Sequence, residues 1–347
     1  MTEPQRYQLL GVHATVCMIL SFQIVTIFFP GVADDMGILN RRSFVQLAGV
    51  TCIAGTGARF EALSQPRAHT SGLPRLGTVA KVKPGGTADA TIRRVRDLGL
   101  PTCQIFFEHL SLQEVNPLLE ALKKYNVEAT AVSEHNPGRR VFDFYQGPLT
   151  IGVIPPGNRR ARIDALKLAA DFARACNIPS IHTHLGFIPE DPNDPIYPGA
   201  IAAIKEVAQH CKEQGRILLC ETGEETPITM LRMIQDVGTG NVFVNLDTAN
   251  LILYGKGNPV DAMDVFGHLV RGMHAKDGLF PTDPRVLGNE VAIGKGRVDF
   301  PELFRRLKNV NYNGAVTIER EIEGPQQEQD IRQSIDFLQH TISKAYS

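Results

Sequence analysis

Four strand-like runs in this chain end in, or close to, side chains that bind cations. RILLCE ends in Glu221, NVFVNLD in Asp247 and GAVTIE in Glu319, while RGMHAKD carries His274 at the end of its apolar part. A neutral imidazole at a buried strand end is a common metal ligand, its second nitrogen held by a carboxylate or a carbonyl. Any one of these residues has a plainer explanation. His274 reads equally as a hydrogen-bonded core histidine, and Glu221 and Asp247 stand just before Thr222 and Thr248, which suit helix caps. Four on consecutive strands are much harder to explain as caps. The mixed oxygen and nitrogen set suits Mn²⁺, Co²⁺, Mg²⁺ or Zn²⁺ better than a soft metal or an iron–sulfur cluster. With such an ion, the chemistry expected is removal of a proton from carbon beside a carbonyl, through an enediolate. Glu221 and Glu319, from the first and last of the four strands, would exchange the proton from opposite sides of the substrate.

For these residues to meet, their strands must be parallel and neighbouring. From Leu76 onward strand and helix patterns alternate. Strands are expected near 77–82, 102–107, 127–132, 179–183, 216–221, 241–247, 271–276 and 314–319. Helices are expected near 87–98, 111–125, 158–176, 197–214, 225–237, 259–269, 300–309 and 326–344. The helix at 158–176 shows the period well, with Ile163, Leu166, Ala170 and Ala173 on one face. Eight such repeats predict an α/β fold, a single-domain (β/α)8 TIM barrel over residues 76–347. A doubly wound open sheet would not readily bring four successive strand ends together. The long loops at 133–157, 184–196 and 277–299 follow strand ends, on the face where the ligands would lie.

Composition narrows the function further. The 347 residues are 43% hydrophobic, enough for a large core, and the formal net charge of -1 comes without a basic block. That argues against nucleic acid as the main partner. Cys17, Cys52, Cys103, Cys176, Cys211 and Cys220 show no CxxC spacing and read as thiols rather than a disulfide framework. Ala14 to Phe29 is a marginal apolar run, and residues 1–35 read as an upstream extension or an over-extended start. Residues 36–65, with Arg41-Arg42 before a weakly apolar stretch, resemble a twin-arginine export signal, and 66–75 a linker. The expectation is an exported, periplasmic protein handled by the twin-arginine machinery, with a cytoplasmic location as the alternative.

The chain from Leu76 on resembles the sugar phosphate isomerase/epimerase family, the xylose isomerase-like TIM barrels. The resemblance rests on LLCETGEET (218–226), NLDTANLILYGKGNP (245–259), HAKDG (274–278), GKGRVDF (294–300) and TIERE (317–321). It implies that Glu221, Asp247, His274 and Glu319 are metal ligands, with Glu221 and Glu319 also acid and base, and that the substrate is a small sugar or polyol. In the ketose 3-epimerases of this superfamily a histidine follows the metal aspartate by three positions and contacts substrate; here Asn250 stands there. The related endonucleases need extra histidines, one of them at that same place, and Asp283-Pro284-Arg285 stands where their Asp-x-His would be, so a three-metal DNA-repair site is not expected.

Further substrate contacts are expected from His184, Lys276 and Asp277, together with Asn250; Lys276 would hold a sugar oxygen or pair with Asp277. His182 reads as a contact or a core histidine. Glu108, His109, Glu134 and His135 line the pocket or are solvated, and Arg297 and Arg320 read as exposed. A dehydratase or lyase of a sugar or inosose-like polyol fits the same residues; the third reading is a non-catalytic carbohydrate-binding barrel, against which the intact Glu–Asp–His–Glu set argues, since a binding module needs no two opposed carboxylates. A homo-oligomer is compatible with either.

Overall fold

The computed structural model describes residues 72–134 and 137–347. The twin-arginine motif, the apolar run before it, Cys17, Cys52 and His135 lie outside the described residues. The eight barrel strands are β1 (Arg75–Val82), β2 (Thr102–Phe107), β3 (Glu128–Ser133), β4 (Ser180–Thr183), β5 (Ile217–Glu221), β6 (Val242–Asp247), β7 (Val270–Ala275) and β8 (Ala315–Ile318). Between and after them run α1 (Ala88–Asp97), α2 (Val115–Tyr125), α3 (Arg159–Ala175), α4 (Tyr197–Glu213), α5 (Pro227–Val237), α6 (Pro259–Phe266), α7 (Phe300–Asn309) and α8 (Pro325–Tyr346). All strand pairs in the closed sheet are parallel, and β1 pairs with both β2 and β8. The Thr78 hydroxyl donates to the Ile318 carbonyl at 3.0 Å across that last seam. The expected single-domain TIM barrel is the observed one.

Local chemistry sets where each element starts and stops. Thr87 caps α1 by accepting from the Ala90 amide, and Asn258 caps α6 by accepting from Val260 and Asp261. Proline opens α5, α6 and α8, where its missing N–H is no loss. Asn126, with φ 52°, ends α2 in the left-handed conformation and turns the chain toward β3. The helix face expected from the period is buried: Ile163, Leu166, Ala170 and Ala173 of α3 pack on the barrel wall. Cys103, Cys176, Cys211 and Cys220 are buried free thiols, and Met230 and Met233 are core residues. Among the described residues, no helix is long and apolar enough to cross a membrane.

Two long loops are fixed by single buried charges. Arg162 of α3, 1% exposed, donates to the carbonyls of Gly152 and Thr150, both at 2.6 Å, and of Pro137 and Arg139, both at 3.2 Å. It thereby shapes the loop after β3, which carries one short helix, Gly147–Thr150. After β7, Asp277 accepts from the amides of Gly278, Gly294, Gly296 and Val298 at 2.8–3.1 Å. Gly296 is required there, because a Cβ would fall 2.1 Å from Asp277 Oδ1.

Candidate metal centre

Side chains alternate along a strand, so residues two apart face the same way. Glu221 and Asp247 close β5 and β6, His274 is the last residue but one of β7, and Glu319 follows directly on β8, so all four stand at the carboxyl ends of their strands. Register aligns them: Asp247 is the partner of His274, and Thr317 pairs with His274 from the other side. The ligand atoms of Glu221, Asp247, His274 and Glu319 all lie within 4.8 Å of one another. His274 Nδ1 is 3.0 Å from Glu221 Oε1, 3.4 Å from Glu319 Oε2 and 3.8 Å from Asp247 Oδ2. Three of the four are essentially inaccessible, and Glu319 is 14% exposed. That is the face on which TIM-barrel active sites form.

The donors fit a divalent cation. Asp247 Oδ1 accepts from the amides of Ala249 and Asn250 at 2.8 and 2.7 Å, which aims Oδ2 at the cluster. That Oδ2 is buried with no hydrogen-bond partner among the described residues; Lys276 Nζ and His274 Nδ1 both stand 3.8 Å away, an ion-pair distance that leaves room for a closer cation. Burial pushes the Asp247 carboxyl well above its ordinary range; Lys276 pulls it down, and the charges of Glu221 and Glu319 add to the rise. Burial also works against ionisation of Glu221, but His274, His182 and His184 together hold it well below the usual carboxylate range. For Glu319 the same opposition by burial is overcome by Lys276 and His274. Three buried carboxylates and an imidazole with an unpartnered oxygen suit a hard or borderline divalent ion.

A second layer surrounds the four. His182 Nε2 meets Glu221 Oε2, and its Nδ1 lies 3.0 Å from the Ser133 hydroxyl. The histidine left open between core and contact therefore belongs to the cluster. His184 Nε2 lies 3.9 Å from Glu221 Oε1, while its Nδ1 is held 2.8 Å from Glu224 Oε1. Burial disfavours the His184 cation, yet Glu224 and Glu221 push its pKa up to about 10. Asn250 donates to Glu221 Oε1 at 3.3 Å. Lys276 Nζ, 1% exposed, reaches Asn250 Oδ1 at 3.3 Å, Glu319 Oε2 at 3.2 Å and Glu321 Oε1 at 2.8 Å. His184, Asn250 and Lys276 are thus brought to the cluster. Lys276 pairs with Glu319 and Glu321 and not with Asp277, whose oxygens are taken up by the four loop amides.

Several other polar residues are fixed elsewhere. Arg320 is bound by Asp330 and Glu290 at 2.8 and 3.0 Å and is 12% exposed, so it is a buried strut and not a solvated arginine. Glu108 pairs with Lys81 at 3.1 Å. After β6, Ala249, Leu253 and Tyr254 form a small apolar cluster with Phe144, Phe187 and Leu287 from three other loops, and the Phe142 ring lies edge-on to His184 at 5.6 Å. Sequence reading missed Gln104, Ser133, Glu224 and Glu321. Gln104 had a signal, as the one polar residue inside the buried run TCQIFF after Thr102. Glu321 had none beyond its place in TIERE.

Comparisons with known proteins agree with this architecture. The family model described as xylose isomerase-like TIM barrel matches residues 92–341. The chain belongs to that family. A xylose isomerase domain protein from Planctomyces limnophilus is similar at 28% identity, covering 78% of this chain and 99% of that one, with a TM-score of 0.73. A D-psicose 3-epimerase solved in the presence of D-fructose shares the fold at 17% identity, with 77% and 99% coverage and a TM-score of 0.59. A xylose isomerase-like TIM barrel protein from Mycobacterium smegmatis in complex with magnesium does so at 16% identity, with 79% and 98% coverage and a TM-score of 0.58. An uncharacterised protein of Methanocaldococcus jannaschii is 21% identical over 174 residues, which span 46% of this chain and 57% of that relative.

Proposed function

We propose that this protein is a divalent-metal-dependent isomerase or epimerase of a small sugar or polyol, working by proton transfer between Glu221 and Glu319. The observation that carries the reading is the convergence of Glu221, Asp247, His274 and Glu319 around the unpartnered Oδ2 of Asp247. When bound, a divalent cation supplies Lewis-acid polarisation of the substrate's carbonyl and hydroxyl oxygens, worth several kcal/mol as an order of magnitude. The magnesium in the Mycobacterium smegmatis protein and the D-fructose present with the D-psicose 3-epimerase support this choice of ion and substrate class.

The chain's own residues then have distinct tasks. Glu221 and Glu319 come from strands three apart around the barrel; the one in carboxylate form accepts the proton from carbon, and the other, in its acid form, returns a proton on the opposite side. Lys276, kept cationic by Glu319, Glu321 and Asp247 against burial, stabilises negative charge on a substrate oxygen. His184, oriented by Glu224, and Asn250, held against Glu221, are placed to fix hydroxyl groups. The twin-arginine-type segment supports export to the periplasm, which cell fractionation of the full chain tests.

The deciding experiment measures metal in the purified full chain, as wild type and as His274→Ala, by elemental mass spectrometry. Near-stoichiometric Mn, Co, Mg or Zn in the wild type and its loss from the variant is the expected result. A panel of sugars and polyols followed by NMR in deuterated water then identifies the substrate. Solvent deuterium entering a product of unchanged composition fits isomerisation or epimerisation, and loss of water fits the dehydratase reading. A wild type that holds no metal after divalent ions are restored would sink the proposal and favour a binding barrel.

A further inference from the structure

Behind the metal-facing residues the barrel axis is polar. Gln104, from the middle of β2 and 2% exposed, reaches across the lumen to β7, where its Oε1 lies 2.9 Å from His274 Nε2. Its Nε2 donates to Asn245 Oδ1 of β6 at 3.0 Å, and Ser133 of β3 lies 3.5 Å from Oε1. Two contacts orient the amide: its donor side meets Asn245 Oδ1, and the Ser133 hydroxyl donates to its acceptor side, which also faces the histidine. Gly272 of β7 makes room for the arrangement, because a Cβ there would fall 2.3 Å from Asn245 Oδ1.

We infer that Gln104 is the positioning residue of the metal centre, setting which nitrogen of His274 is offered to the cation. The inference rests on the ligand set proposed above. An oxygen acceptor at Nε2 keeps a proton there, so Nδ1, which without a cation shares its proton with Glu221 Oε1 at 3.0 Å, is the nitrogen that a cation would take up on displacing that proton. The same contact stops the imidazole from rotating about its Cβ–Cγ bond. Ligating histidines are commonly held this way by an acceptor on their far nitrogen, and loss of the acceptor costs about 10–100-fold in metal affinity. In this barrel the acceptor is a neutral carboxamide delivered from the opposite wall. Gln104 also lines a 470 Å³ cavity at the amino-terminal mouth of the barrel, together with Arg75, Ser180 and Arg271, so the back of the centre borders a second opening.

The test is calorimetric titration of Co²⁺ into the metal-stripped full chain, as wild type, Gln104→Leu and Gln104→Glu, with the visible Co²⁺ spectrum recorded alongside. The leucine variant, without an acceptor, is expected to lose about 10–100-fold in affinity and to change the spectrum. The glutamate variant keeps an oxygen in place and is expected to stay within a few-fold of wild type. Equal affinity for wild type and Gln104→Leu overturns the inference and leaves the ligand set standing, as does equal weakening of both variants. The wild type alone supplies a second check that needs no folded variant: ¹⁵N shifts of the Zn²⁺-loaded protein should place the His274 proton on Nε2, and a proton on Nδ1 overturns the inference. A wild type that binds no Co²⁺ overturns both the ligand set and this role.

Discussion

The two halves of the barrel share one geometry and divide the work. Strands β5 to β8 end in Glu221, Asp247, His274 and Glu319, whose ligand atoms cluster within 4.8 Å. Strands β2 to β4 send in Gln104, which holds His274, His182, which meets Glu221, and Ser133, which backs both of these supports. The first half supplies constraint and the second supplies charge. A site built so has its reactive groups on adjacent strands, where register fixes their spacing, and its supports on the neighbouring β4 and, through the long side chain of Gln104, across the lumen.

The sharpest way to break that division is to neutralise one residue in each half. Glu319→Gln should lower turnover of the identified substrate by about 10²–10⁴-fold, the usual worth of a positioned acid or base. Ser133→Ala, which removes a neutral partner of His182 and a longer contact to Gln104, should cost less than about tenfold, as a lost neutral hydrogen bond does. Equal losses in steady-state assays would mean the halves are not divided as described.

Stability gives the next contrast. Arg162→Leu leaves the carbonyls of Pro137, Arg139, Thr150 and Gly152 without their donor. Urea unfolding should show a loss of about 3 kcal/mol, since unpaired buried polar groups cost about 1–3 kcal/mol each and the loop relaxes in part. Asp277→Asn should cost about 2 kcal/mol by disturbing amides on the loop after β7, while Co²⁺ affinity stays within a few-fold. A large drop in affinity would return Asp277 to the site. The smallest effect is expected at the amino-terminal mouth. Glu128→Gln removes the Arg75 partner at 2.8 Å, a half-exposed pair, and should shift stability by no more than about 0.5 kcal/mol.

How far these roles are legible in the sequence follows the same division. Glu221, Asp247, His274 and Glu319 stand out because each closes an apolar run, and a polar group at a strand end has few places to go but the mouth of the barrel. The eight strand–helix repeats stand out because periodicity is a local signal. Gln104 does not announce its target: the residue it holds lies 170 positions along the chain, and only the closed barrel brings them together. Arg162 is hidden for a different reason, since an arginine beside the apolar face of a helix reads as solvated until the loop it holds is folded over it. Asp277 follows directly on Lys276 in the site motif, yet its hydrogen-bond partners reach as far as 21 residues downstream. In each case the missing information is where a loop returns, which pattern alone does not carry.

The seam between β1 and β8 has a consequence for how the protein comes into being. Thr78 binds the carbonyl of Ile318, 240 residues away, and Glu319 follows immediately. On a ribosome, β1 emerges long before its second neighbour exists, and so waits with one edge unpaired. The four-residue cluster likewise lacks its last carboxylate until that closing strand has been made. Completion of the cluster and closure of the barrel therefore belong to the same late event in folding, one that depends on contacts of high sequence separation and is correspondingly slow.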